Sequence, residues 1–293
     1  MPEPAVVRMQ GKVCVITGAS SGIGRATALG LAHLGATIVL VCRNRTRAEA
    51  TRAAIVTASG NSQVEIALAD VSIQAEIHRL AQELLGRYPQ IHVLVNNAGT
   101  LERRRSTTRD GIETVFAVNH LAYFLFTQLL LERLTTSAPA RIINVASGAH
   151  RWGPLDMSDL QNARHYRALR VYGQSKLCNI LFTRELARRL AGSGVTVNAM
   201  HPGGVATGLG SNNGWWAKLI ATVLKPLILT AEQGADTVVY LATAPEVARV
   251  SGKYFVKRQE EQPSLAALDD DTAQRLWQAS VELTVGRRQG LHA

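Results

Sequence analysis

Tyr172 and Lys176 stand four residues apart in the run Tyr172-Gly173-Gln174-Ser175-Lys176. On a helix that spacing puts a phenol and an ammonium on one face. A phenol has a reference pKa of about 10. A nearby ammonium stabilises the phenolate and pulls that value toward neutrality. Such a pair could move a proton to or from a carbonyl oxygen. The spacing alone arises often by chance. It gains weight from three features that precede it in order: Thr17-Gly18-Ala19-Ser20-Ser21-Gly22-Ile23-Gly24, then Asn96-Asn97-Ala98-Gly99, then Ser147.

The elements that would position these residues alternate regularly. Short β-branched apolar runs at 12–17, 37–42, 63–69, 92–96, 141–146 and 195–200 predict strands. Runs of this kind suit strands buried on both faces. Helical patterns at 22–34, 45–58, 73–87, 110–133 and 172–190 lie between them. The alternation predicts an α/β fold, a Rossmann-like doubly wound parallel sheet flanked by helices. Ligands in such sheets bind outside the carboxyl ends of the strands. Each motif falls just after a predicted strand or on the helix that follows it. Tyr254-Phe255 predicts a short further strand and 271–283 a late helix. The whole chain, 1–293, reads as a single domain with a lid at about 204–229 and a C-terminal extension at about 251–293.

The first strand runs straight into the glycines. Gly18 and Gly22 allow a sharp turn that brings backbone close to a pyrophosphate, and Gly24 allows tight helix–strand packing. A helix opening near Gly22 offers free N–H groups and a positive dipole end to that phosphate. Ser20, Ser21 and Ile23 complete this dinucleotide-binding turn. An NAD site usually carries an acid about 20 residues further on, at the ribose 2′-hydroxyl. Here the second strand ends in Arg43-Asn44-Arg45, with no acid. The planar fork of Arg43 suits a 2′-phosphate, so NADP(H) is the expected cofactor. Arg25 could add a second charge; Arg25, Arg45 and Arg47 read equally well as solvated surface residues. Asp70-Val71 closes the third strand. Asp70 suits either the adenine amino group or, in competition with Ser72, the cap of the next helix. Asn97, Ala98 and Gly99 would sit against the adenine–ribose half, with the Asn side chains tying loops together.

With a nicotinamide cofactor expected, the remaining polar groups take roles. Ser147 could bind the substrate oxygen and Asn119 could join a water-mediated proton path. Lys176 could also hold the ribose hydroxyls. Taken singly, a serine before Gly148 is usually a turn former and a lone asparagine a packing residue. Tyr166-x-x-x-Arg170 repeats the spacing, but Arg170 does not titrate. His150 is a rival acid–base group close to Ser147. His201 either lines the nicotinamide pocket or packs in the core.

Bulk properties narrow the class. Of 293 residues, 46% are hydrophobic, enough for a substantial core. The formal charge is +10, from 32 Lys+Arg against 22 Asp+Glu. The arginines are scattered and lie in no recognisable nucleic-acid module, so no nucleic-acid partner is expected. Cys14, Cys42 and Cys178 show neither metal spacing nor a paired framework, and no metal is expected. Reduced thiols and the absence of a leader pattern in the first eight residues point to a cytoplasmic protein. The longest apolar stretch is read at 215–229, where Lys218, Lys225 and Pro226 interrupt it, so no bilayer span is expected.

Together these residues resemble the short-chain dehydrogenase/reductase family over nearly the whole chain. The resemblance implies a seven-stranded sheet and a tetrad of Asn119, Ser147, Tyr172 and Lys176. It also implies cofactor contacts from Pro202, Gly203, Val205 and Thr207, with Thr207 on the carboxamide. A closer similarity is to the retinol-dehydrogenase-like branch. It is carried by Val118-Asn119-His120-Leu121, Thr127-Gln128-Leu129-Leu130, His201-Pro202-Gly203, Lys253-Tyr254-Phe255 and Leu276-Trp277. Ala146-Ser147 departs from the Ser-Ser pair common in that branch, and the membrane anchor of several relatives is not seen. The expected activity is hydride transfer between NADP(H) and a bulky apolar aldehyde, ketone or alcohol, retinoid-like, aromatic or polyketide-like. Light-dependent protochlorophyllide reductases are also similar at this level, and a non-catalytic nucleotide-binding scaffold is the reading from another class. Trp215, Trp216, Leu219, Ile220 and Leu224 suit an apolar substrate, a packing face or shallow membrane insertion. Peripheral membrane contact and homo-oligomer formation stay open.

Overall fold

The computed structural model describes residues 8–203 and 230–285. The expected lid at 204–229 lies outside them, with Val205, Thr207, Trp215, Trp216, Leu219, Ile220 and Leu224, and so does the end of the C-terminal extension.

The chain runs β1 (Val13–Thr17), α1 (Gly22–His33), β2 (Thr37–Cys42), α2 (Arg45–Ser59), β3 (Val64–Leu68) and α3 (Gln74–Arg87). It continues through β4 (Val93–Asn96), α4 (Thr114–Thr136), β5 (Ala140–Val145), α5 (Ala168–Arg189) and β6 (Val195–His201). After the gap come α6 (Ala231–Thr243), β7 (Tyr254–Val256), β8 (Gln259–Glu260) and α7 (Asp270–Val285). The strands form one sheet in the order β3-β2-β1-β4-β5-β6-β7-β8. The first seven are parallel, and β7 pairs with β8 antiparallel. The sheet therefore has eight strands among the described residues, one more than the resemblance implied. β8 is a two-residue return strand, too short to read from pattern.

Both faces of the sheet are buried, and the strands show why. Along β1, Cys14 and Ile16 join one cluster, with Leu40, Val238 and Leu241. Val15 between them joins the other, with Val39, Leu80, Phe124 and Phe126. Alternate residues feed opposite layers, so the middle of each run is mostly apolar. Each large aliphatic side chain buried in this way contributes roughly 1.5–3 kcal/mol relative to exposure. All three cysteines are free and buried, Cys14 and Cys42 in the first of these layers.

The helix α4 is apolar and long enough to cross a membrane by length and composition, which the sequence reading overlooked. Most of its apolar stretch is buried inside the protein, and Phe124, Phe126 and Leu130 pack on the sheet. It is a core helix.

Chain order reverses between β1 and β4, where β1 pairs with both β2 and β4. This is the switch point at which open α/β sheets bind ligands. Thr17, Cys42, Asn96, Val145 and His201 end their strands on that edge.

Candidate active site

Thr17 organises the switch point. Its Oγ1 accepts from the backbone N–H groups of Asn97 at 2.9 Å and Ala98 at 3.0 Å. Asn97 Nδ2 returns to the carbonyls of Thr17 at 2.8 Å and Gly18 at 3.3 Å. The Gly-rich turn and the loop after β4 are thus stitched together. Gly18 has φ +65°, and a Cβ there would stand 2.8 Å from Ala98 Cα. A Cβ at Gly24 would meet Asn97 Nδ2 and the Gly18 carbonyl, each at 2.5 Å. Both positions require glycine because backbone approaches backbone too closely for any side chain.

The start of α1 is open. Ser21 occupies the N-cap without a side-chain hydrogen bond, and the first turn carries no acid. Its N–H groups suit an anion such as a pyrophosphate. Ile23 is buried beneath the turn, and the Ser20 carbonyl accepts from Thr51 Oγ1 at 3.2 Å. At the next two strand ends, Arg43 Nη1 lies 3.8 Å from Asp70 Oδ2. Asp70 Oδ1 accepts from the Ser72 N–H at 3.0 Å. Neither Asp70 nor Ser72 caps α3: Asp110, far along the chain, accepts from Gln74 N at 2.9 Å. Val71 lines a small cleft with Thr17, Asn96, Ala98 and Tyr123. Arg25 is exposed, and Arg45 faces Glu49 one turn on at 3.6 Å.

The catalytic candidates converge behind this edge. α5 begins at Ala168, one turn earlier than expected, so Tyr172 lies inside the helix instead of opening it. Lys176 is 3% exposed. Its Nζ donates to the Val145 carbonyl at 2.9 Å and lies 5.6 Å from the Tyr172 ring centroid. The Tyr123 ring centroid is 5.7 Å away on another side. The Ser147 side chain faces the phenol and favours its ionised form, while its Oγ accepts from Ala149 N at 3.2 Å.

Asn119 is fully buried and sits in a π turn, Ala117–Leu121, inside α4. The widened turn displaces the helix locally, a distortion common at functional sites. Asn119 Oδ1 accepts from Thr100 N at 2.7 Å, and Nδ2 donates to the Thr100 carbonyl at 3.0 Å and Ser175 Oγ at 3.0 Å. Asn119 thereby links the loop after β4 to α5. A Cβ on Gly99 would stand 3.5 Å from Asn119 Oδ1 and 3.7 Å from Lys176 Nζ, so Gly99 faces both. Pro202 and Gly203 follow β6, with Gly203 at φ +81°.

The electrostatics differ from the sequence expectation. Burial pushes the Tyr172 phenol up to about 12, against the smaller opposing effect of Ser147. Burial also pushes the Lys176 ammonium down to about 7. The lysine does not pull the phenol toward neutrality among the protein groups, because desolvation disfavours charge on both residues. Burial thus favours the protonated phenol at Tyr172.

The rivals resolve clearly. His150 accepts from Ser264 N through Nε2 at 3.0 Å, which puts its proton on Nδ1, 2.7 Å from the Ser147 carbonyl. Both ring nitrogens are occupied, so His150 is a strut. His201 is half-buried beside Gly148, and burial and His150 hold its pKa down at about 4. Tyr166 precedes α5, and its hydroxyl donates to the Glu102 carbonyl at 3.0 Å. Sequence reasoning missed Thr17 and Tyr123 as site residues. Tyr123 was detectable, since it stands four residues after Asn119 on the same helix.

This constellation has close relatives. The short chain dehydrogenase family profile matches residues 12–218, and the chain belongs to that family of oxidoreductases acting on CH–OH groups. Its sequence is 43% identical to retinol dehydrogenase 12 of Mus musculus over 277 residues, 94% of this chain and 87% of that one. It is 42% identical to retinol dehydrogenase 13 of Homo sapiens over 286 residues, 96% and 86% respectively. Among solved structures, an uncharacterized protein from Mycobacterium Paratuberculosis superposes with a TM-score of 0.77 at 32% identity, covering 95% of both chains. The Pseudomonas aeruginosa RhlG/NADP complex gives a TM-score of 0.69 at 28% identity, covering 86% of this chain and 96% of that one. The chain thus lies in the retinol-dehydrogenase-like branch.

Proposed function

We propose that the protein is an NADP(H)-dependent oxidoreductase for a bulky apolar aldehyde, ketone or alcohol. The observation that carries this reading is the Tyr172 phenol facing Ser147, with Lys176 Nζ 5.6 Å from its ring centroid. The uncapped start of α1 and the glycine-only contacts at Gly18 and Gly24 suit a dinucleotide pyrophosphate. Arg43 suits its 2′-phosphate, and Asp70, Val71, Asn97, Ala98, Gly99, Pro202 and Gly203 suit the rest of its length. When bound, the nicotinamide supplies or accepts the hydride.

The chain's own residues handle the proton. Ser147 Oγ holds the substrate oxygen. Tyr172, a phenol at neutral pH, gives that oxygen its proton as the alcohol forms. The phenolate left behind stabilises the Lys176 ammonium, so proton transfer turns two disfavoured groups into a mutually favoured pair. Asn119 holds the wall of the site and connects it to Thr100. The names of the retinol dehydrogenases support a retinoid-like substrate, and the RhlG/NADP complex supports the cofactor.

The test is NADPH and NADH consumption against retinal and a panel of aromatic and aliphatic aldehydes and ketones, with Tyr172→Phe as control. NADPH-selective turnover that vanishes in the control establishes the activity. Tight NADPH binding without turnover of any member, unchanged by the substitution, overturns it in favour of a scaffold.

A further inference from the structure

The C-terminal segment lies beyond the last parallel strand, yet it touches the site twice. The first contact runs through His150. The Ser264 N–H donates to His150 Nε2 at 3.0 Å, so the ring carries its proton on Nδ1 and donates to the Ser147 carbonyl at 2.7 Å. The ring is buried and stands edge-on to Tyr254, with centroids 5.2 Å apart. The second contact runs through His120, the residue after Asn119 in the π turn. Ser280 uses its own proton on the Leu276 carbonyl at 2.8 Å. Its Oγ therefore accepts from His120 Nε2–H at 2.9 Å. Phe116 and Phe182 flank that ring, with centroids at 5.3 and 6.1 Å.

Other contacts seat the segment. Trp277 packs on Phe124 at 5.0 Å and receives the Arg189 guanidinium at 4.1 Å. Arg184 pairs with Asp270 at 2.8 Å, and Gln74 Nε2 donates to the Leu283 carbonyl at 2.9 Å. Neither histidine touches the reacting phenol. His150 holds the backbone of Ser147, and His120 ties the turn that carries Asn119 to Ser280.

We infer that the segment 261–285 is a positioning clamp for catalysis, holding the Ser147 turn through His150 and the Asn119 π turn through His120. The inference rests on the proposed carbonyl chemistry for its kinetic consequence but not for the clamp itself. The His150 contact requires a neutral ring, because Nε2 must be bare to accept from Ser264, whereas the His120 contact requires only the proton on Nε2. Burial lowers the pKa of both rings. The Ser147 carbonyl favours charge on His150 and Arg151 opposes it, while the Asn179 carboxamide favours charge on His120. The Ser147 carbonyl accepts from the His150 ring and also from the His150 backbone N–H at 3.1 Å. That pairing fixes the turn from which the Ser147 side chain projects.

Two substitutions separate the clamp from bulk stability. Ser264 has φ −65°, the value of proline, so Ser264→Pro removes the N–H donor with the backbone angle retained. Ser280→Ala removes the acceptor for His120, and Ser280→Thr keeps it. Expected results are a kcat lowered on the order of 10- to 100-fold in S264P and S280A. NADPH affinity stays in place, and S280T restores the rate. Amide exchange measured by mass spectrometry is expected to quicken at 146–152 in S264P and at 116–122 in S280A. Leu265→Ser, at an exposed neighbour, is the unaffected control.

Unchanged kcat with the contacts removed overturns the clamp. So does a loss spread evenly over kcat, NADPH affinity and exchange everywhere, which marks a purely structural role. If the wild-type enzyme turns over no carbonyl, the proposed function fails. The exchange experiment still decides the clamp, and unaltered protection at both segments ends it.

Discussion

The Arg43 guanidinium stands 3.8 Å from the Asp70 carboxylate, joining the ends of β2 and β3 across the edge where the cofactor is expected. Arg43 is 75% exposed on its side chain, so the pair adds little stability. The exposed fork is left open to the 2′-phosphate of the proposed cofactor.

Arg43→Ala is therefore expected to weaken NADPH by about 10- to 100-fold, the range for one charge-assisted hydrogen-bonding group. NADH affinity is expected to change little. Fluorescence titration with both cofactors checks this, and equal losses would remove Arg43 from the 2′-phosphate.

Tyr172→Phe keeps the ring beside Lys176 and removes the hydroxyl that would carry the proton. Turnover is expected to fall by roughly 10²- to 10⁴-fold, the scale of one general acid. Cofactor affinity should survive. Full activity in this variant would refute the assigned role.

Lys176 leads to a pH prediction. Its ammonium is held at about 7, below its ordinary value, by burial. As pH rises through 7 the charge that would stabilise the Tyr172 phenolate disappears. The ratio kcat/KM for NADPH in the reductive direction, which reports the free enzyme, is expected to decline above about pH 7. A flat profile from acid to alkaline pH contradicts this electrostatic assignment.

His120 sets an acid limit on the fold. Burial lowers its pKa from 6.5 to about 3. For a histidine with a lowered folded pKa, the stabilisation is complete above the unfolded value and is lost as pH falls toward the folded one. Between pH 7 and pH 5 it should account for a loss of about 2 kcal/mol. Urea midpoints at the two pH values measure this, and His120→Gln should flatten the difference. An identical slope in that variant would assign the acid sensitivity elsewhere.

The strands were legible because burial on both faces leaves a continuous apolar run, as at Thr37–Cys42, where expectation and structure coincide. The glycines were legible because Gly18 and Gly24 answer a local steric demand. The start of α5 was hidden: Arg167 caps it without a side-chain bond, so no local signal marks the boundary. The π turn at Asn119 has no sequence signature, since one widened turn changes no periodicity over so short a span. Long-range partners were hidden for another reason. Asp110 on Gln74 and Ser280 on His120 depend on elements far apart in sequence meeting in space. The phenol's direction of shift was misjudged because helical spacing speaks of proximity and says nothing of desolvation.

Lys176 also bears on how such a chain changes over generations. A nearly solvent-free lysine with no carboxylate against it among the described residues works against the folded state at neutral pH, and a methionine of similar reach would relieve it. Selection for persistence of the fold alone would discard this lysine early. A descendant turned pseudoenzyme should therefore be sturdier than its active parent, and position 176 is where that change would first be written.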